Sequence, residues 1–121
     1  MTEFVTVAGY VKLMQKTMYI QLASARLKEG VDEAQLLAAS DAFQRNFVSQ
    51  QQGIVRRILV KAKHGGYADL VFFESKEDAE RVAQAEATSE HCQALFQLLQ
   101  PPDPSSPDMG VLSFEHLKTY E

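Results

Sequence analysis

Residues 54–74, IVRRILVKAKHGGYADLVFFE, decide the fold. Two runs rich in β-branched and aromatic residues flank Gly65-Gly66, the pattern of a β-hairpin. Ile54 to Lys63 reads as one strand and Tyr67 to Glu74 as the next. A two-residue turn at Gly65-Gly66 sets His64 opposite Tyr67, Val60 opposite Val71 and Arg57 opposite Glu74. Successive side chains on a strand point to opposite faces. Ile58, Val60, Val71 and Phe73 then share one wholly apolar face, expected to meet helices. Leu59, Leu70 and Phe72 share the other, beside Arg57, Lys61 and Glu74.

Upstream, Met18 to Leu27 reads as a strand, ended by Lys28-Glu29-Gly30. Asp32 suits a helix N-cap. Leu36, Ala39, Phe43 and Phe47 follow at helical spacing, and the helix is expected to run about 17 residues toward Gln50 and Gly53. Downstream, Ser75 and Asp78 have capping-box spacing. A helix with Ala79, Val82 and Ala83 inward follows, with a break at Thr88-Ser89. A second helical piece carries Cys92, Leu95, Phe96 and Leu99, and Pro101-Pro102 stops it. Val111 to Leu117 reads as the last strand. Residues 1–17 are expected to form an N-terminal extension or an extra strand, and 18–121 the domain proper.

The order strand, helix, strand, strand, helix, strand is that of an α+β, ferredoxin-like βαββαβ sandwich with an antiparallel four-stranded sheet and two helices on one face. The strands do not alternate cleanly between apolar and polar. The sheet face away from the helices therefore keeps an apolar patch, which marks an interface. Two such faces meeting make a dimeric α+β barrel, so a homodimer through the open face is expected. The competing arrangement is a monomer whose N-terminal arm covers that face.

Composition limits the function. The chain of 121 residues is 45% hydrophobic, enough for one domain with its own core. It carries 16 acidic and 12 basic residues, net charge -4, without a basic stripe. That argues against nucleic-acid binding. A single cysteine, Cys92, excludes an internal disulfide and fits a reducing, cytoplasmic setting. Neither a signal peptide nor a membrane-spanning run is read, so no membrane partner is expected.

Residues 70–98, LVFFESKEDAERVAQAEATSEHCQALFQL, resemble the antibiotic biosynthesis monooxygenase-like domains of the dimeric α+β barrel superfamily. That family has an aromatic at the end of the third strand, an acidic start to the next helix, then a Ser-x-His segment. Phe73, Glu74 and Ser89-Glu90-His91 fall at those places. The resemblance implies a cofactor-independent monooxygenase-like protein acting on a small aromatic or quinol-type molecule, and the lone cysteine and the spacing of the three histidines argue against a metal site. The haem-degrading members resemble this chain least. Their strand-three Trp is missing, their strand-one Asn matches Ala23, and their helix histidine falls near Glu86. Those departures leave open a non-catalytic small-ligand-binding or assembly module on the same dimer, or a protein partner of another enzyme.

Candidate site residues follow, each beside its plainer reading. His91 is the candidate catalytic base or substrate donor; otherwise it is a helix-end or interface histidine. Phe73, Arg56 and Tyr19 are the candidate substrate contacts. Arg56 is read on the helix-facing side of its strand, where it would meet an anion or a carboxylate; otherwise it reaches past the strand end to water. Tyr19 and Tyr67 would donate to a phenolic oxygen; otherwise they are half-buried strand tyrosines. His64 reads as an exposed turn residue, His116 as a packed or dimer-contact one and Cys92 as a small buried hydrophobe.

Overall fold

The computed structural model describes residues 18–101, 103, 105 and 110–121. The expected extension or extra strand over residues 1–17 lies outside them. The elements are β1 (Tyr19–Ala25), α1 (Glu33–Asn46), β2 (Ile54–Lys61), β3 (Tyr67–Phe73), α2 (Lys76–Ala87), α3 (Glu90–Phe96) and β4 (Gly110–Glu115). The sheet is antiparallel in the order β2-β3-β1-β4. This is the expected ferredoxin-like α+β sandwich, with the second helix broken in two. Among the described residues no helix is long and apolar enough to cross a membrane.

Each helix starts where its first residues offer a cap. The Asp32 carboxylate accepts from the Gln35 N–H while the Gln35 side chain accepts from the Asp32 N–H, a complete capping box. The Ser75 hydroxyl accepts from the Asp78 N–H, and Ser89 does the same for Cys92. Ser89 thus restarts the helix at the expected break. Helix α1 spans 14 residues rather than 17 and continues as a single 3-10 turn, Val48–Gln50. Tightening of that kind is common at helix ends. It leaves Phe47 and Val48 both in the core. At Gly53 φ is +91°, and an added Cβ would lie within 2.3 Å of Asp78, so only glycine fits between β2 and the start of α2.

The hairpin departs from the expected register. The Ala62 N–H donates to the Gly66 carbonyl and the Gly65 N–H to the Ala62 carbonyl, so the loop has three residues, Lys63-His64-Gly65. Gly65 and Gly66 both take positive φ, +94° and +86°. Arg57 then lies opposite Val71, Ile58 opposite Leu70 and Leu59 opposite Asp69. Relative to the expected pairing the shift is three residues. An odd shift exchanges the faces of one strand against the other. Val71 and Phe73 keep their expected helix-facing side. The expected pairing of Arg57 with Glu74 and the helix-facing placement of Ile58 and Val60 are both incorrect. Arg57 and Leu59 face the helices instead. Val55 is the extra residue of a bulge between Ile54 and Arg56.

The pairing lays out both faces as rows across β2-β3-β1-β4. On the helix side the rows are Ile54-Phe73-Tyr19-Glu115, Arg57-Val71-Gln21-Ser113 and Leu59-Asp69-Ala23-Val111. On the open side they are Arg56-Phe72-Ile20-Phe114, Ile58-Leu70-Leu22-Leu112 and Val60-Ala68-Ser24-Gly110. The core sits on the helix side: Leu36, Phe43, Phe47, Val48, Phe73, Ala79, Val82, Cys92 and Leu95. Phe43 and Phe47 stack at 5.4 Å between ring centroids, and Phe96 leans on Phe43 at 6.4 Å. Ala83, expected inward, is exposed. The inward stripe of α2 runs through Ala79 and Val82 to half-buried Glu86.

Candidate functional site

A cavity of about 180 Å³ lies between the helices and the sheet. Its walls are mostly apolar, with Phe43, Phe47, Val48, Phe73, Val82 and Leu95 among them. Four polar side chains reach it: Gln21 from β1, Arg57 from β2, Asp69 from β3 and Glu86 from α2. A second lobe of about 120 Å³ continues toward Tyr67 and Leu99. Ala23, Arg57, Asp69, Leu95 and Phe96 border both lobes.

Arg57 organises the polar end. Its Nε donates to Asp69 Oδ2 at 3.0 Å, with the arginine side chain only 8% exposed and the aspartate 20%. Its Nη2 donates to Ser40 Oγ at 2.6 Å and its Nη1 to Gln44 Oε1 at 3.3 Å. The guanidinium also lies 4.9 Å from the centre of the Phe43 ring. The ion pair is diagonal across β2 and β3, since Arg57 faces Val71 and Asp69 faces Leu59. Asp69 Oδ1 is buried and meets no hydrogen-bond partner among the described residues. An acceptor in that state invites a ligand donor or a water.

Burial raises the proton affinity of a carboxyl group, and a neighbouring carboxylate raises it further. Burial pushes the Asp69 carboxyl up, and Arg57 opposes the rise. The Glu86 carboxyl is pushed up to about 7, first by burial and then by the charge of Asp69. Glu86 is therefore close to half protonated at neutral pH. The Cys92 thiol, fully buried, is raised by burial and by Glu86, while its hydrogen bond with Ser89 works the other way. Cys92 is thus the buried hydrophobe read from the sequence. Among the described residues no group of three or more His, Cys, Asp or Glu gathers as a metal ion would require.

Of the four residues singled out in the sequence, Phe73 lines the cavity and is 3% exposed. Arg56 does not take the helix-facing side expected of it. It lies opposite Phe72 on the open face, because the three-residue loop turns its neighbour Arg57 inward. Tyr19 stands on the helix side opposite Phe73 and packs against the core, outside the cavity wall. His91 is exposed on α3, also away from the wall. The Tyr67 hydroxyl donates to Glu33 Oε1 at 2.9 Å, and Lys61 pairs with the same oxygen. His64 is exposed in the hairpin loop, and His116 bonds Thr119 Oγ1 at 2.7 Å.

Arg57, Asp69, Glu86 and Gln21 are not among the candidate site residues taken from the sequence. Two signals were present. Asp69 shares strand parity with Val71 and Phe73, so a carboxylate falls on a core-facing position. Glu86 follows Val82 by four residues on the buried stripe of its helix.

No family model matches the sequence, and no curated protein matches it. Solved structures do. A provisionally named antibiotic biosynthesis monooxygenase from Bordetella bronchiseptica superposes with a TM-score of 0.64 at 15% identity, covering 85% of this chain and 98% of that one. Hydroxynitrile lyase from Passiflora edulis gives 0.61 at 12% identity, covering 88% and 99%. A variant of SnoaB, a cofactor-independent oxygenase from Streptomyces nogalater, gives 0.54 at 13% identity, covering 88% and 96%. At such identities the likeness concerns the fold. That fold is the one antibiotic biosynthesis monooxygenase-like proteins have, in agreement with the resemblance seen in residues 70–98.

Proposed function

We propose that this chain is a cofactor-independent monooxygenase-like protein that takes a small aromatic or quinol-type molecule into the helix–sheet cavity and works as a homodimer. The observation that carries the proposal is the cavity itself: aromatic walls with a buried polar end. An apolar cavity of roughly 150 Å³ accommodates benzene. The main lobe, about 180 Å³, therefore suits one substituted ring, and the second lobe gives room for a fused or pendant group. Phe43 and Phe73 supply flat contacts, and Asp69 Oδ1 supplies an acceptor for a ligand hydroxyl. The solved oxygenase of the same fold supports the reaction class. The dimer is supported by the open sheet face, whose rows are apolar apart from Arg56 and Ser24.

Three observations favour the alternative, a non-catalytic small-ligand-binding or assembly module on the same dimer. The chain has no Trp, Ala23 stands where the haem-degrading members of the resembling family have a strand-one Asn, and His91 is exposed. Calorimetric titration with mono- and dihydroxynaphthalenes, alongside oxygen uptake, separates the readings. Binding with catalysed oxygen uptake is the expected result. Binding without uptake leaves the ligand-binding module standing. Failure of every such compound to bind overturns the cavity reading. Ala23→Phe, which fills the boundary between the lobes, is the control that should abolish binding.

A further inference from the structure

We propose that Glu86 is the group that takes the hydroxyl proton of a ring bound in this cavity. The assignment rests on the cavity being a site for hydroxyl-bearing aromatics, and it adds the residue that handles the proton. Among the polar groups at the cavity, Gln21 does not titrate and is turned toward Ser113 at 3.3 Å. Arg57 offers only donors and is bound to Asp69, Ser40 and Gln44. Asp69 holds the arginine. Protonating it would strand a guanidinium that is 8% exposed, which is costly in an interior. Among the described residues no cation pairs with Glu86, so its charge can come and go without orphaning a partner.

The placement suits the task. Glu86 sits on the buried stripe of α2, one turn beyond Val82, and enters the cavity from the helix side. Asp69 enters from the sheet side. A ring lying between them meets an acceptor on each flank. The titratable or charged groups facing Glu86 are Asp69 on β3, Arg57 on β2 and Cys92 on α3. The negative charge of Asp69 raises the proton affinity of Glu86, and the raised Cys92 thiol does not compete for a proton near neutral pH. In the transfer the ligand O–H bond breaks with its electron pair kept by the oxygen. The new O–H bond forms on a Glu86 carboxylate oxygen. The resulting phenolate is the electron-rich form that reacts with dioxygen.

The test uses 2-naphthol as the probe and isothermal calorimetry in two buffers of different ionisation heat. Below neutral pH, binding that draws on ionised Glu86 releases a fraction of a proton. Affinity should rise about tenfold from mildly acid to mildly alkaline pH. Glu86→Gln, nearly isosteric, should bind with no proton release and with affinity flat within about twofold. Asp69→Asn should keep the release but move it to lower pH, because it removes the charge that adds to the rise of Glu86. Equal proton release in wild type and Glu86→Gln overturns the assignment while leaving the cavity reading intact. Absence of 2-naphthol and dihydroxynaphthalene binding by the wild type overturns both.

Discussion

The two faces of the sheet reverse the usual order of things. The helix-covered side holds a buried ion pair and a half-buried glutamate and glutamine among phenylalanines. The open side presents Ile20, Leu22, Ile58, Val60, Leu70, Phe72, Leu112 and Phe114, with Arg56 as its charge. Leu112 and Phe114 are 54% and 47% exposed. Charge inside costs desolvation and apolar surface outside forfeits burial. A stable protein keeps such an arrangement when the inner polar groups have a ligand to meet and the outer face has a second surface to cover it. On the proposed function, ligand binding and self-association fall on opposite sides of one four-stranded sheet.

The strongest blow to the inner face is removal of the anion that holds Arg57. Asp69→Ala should cost about 3–5 kcal/mol in urea denaturation, because it leaves a buried guanidinium without its carboxylate. Replacing both partners, Arg57→Leu with Asp69→Leu, should cost much less than the single change. A single mutant no worse than the double would show that the pair is solvated and the inner face ordinary.

The outer face is tested next. Phe72→Asp places a charge in the middle of the apolar rows and should weaken self-association by about 3 kcal/mol, over a hundredfold. Light scattering at micromolar concentration should read twice the chain mass for the wild type and one chain mass for the variant. A wild type at one chain mass over a wide concentration range would remove the reason given for the apolar face.

A smaller effect sharpens the inner face. The folded-state pKa of Glu86 is raised, to about 7, so its contribution to stability is fully present below the ordinary carboxylate range. It is lost as pH rises from there through about 7. Glu86→Gln should therefore match the wild type near pH 4 and exceed it by about 2 kcal/mol near pH 8, after allowance for partial solvent screening. Parallel stability curves for the two proteins would mean that Glu86 ionises freely in water.

The smallest effect sets neighbours against each other. Arg56→Ala should change folding stability by less than about 0.5 kcal/mol. Arg57→Ala, one residue on, should cost several times more, since it strips Asp69 and Ser40 of their partner. Equal costs would mean that the two faces are not as different as the rows make them.

Much of the fold was legible because its signals are local. Asp32, Ser75 and Ser89 start the helices through hydrogen bonds within three residues. The helical spacing of Leu36 and Phe43 and the glycine pair at 65–66 likewise need no distant partner. Phe73 was legible as an inward residue for the same reason. The polar end of the cavity was not. Arg57, Asp69 and Glu86 come from three different elements, and nothing in the sequence around any one of them refers to the others.

By itself, the sequence determined the order of the elements, their caps, the hairpin and the presence of an apolar excess on the strands. Only the tertiary structure decided which of the adjacent Arg56 and Arg57 turns inward. The physical reason is the strand's period of two. Adjacent residues must take opposite faces, and a glycine pair permits either a two- or a three-residue loop. The choice falls to the register in which Arg57 finds Asp69, Ser40 and Gln44 waiting on the helix side. Once Arg57 and Asp69 are inside, the proton affinity of Glu86 follows from burial and from a charge 17 positions away in the chain, which no local pattern encodes.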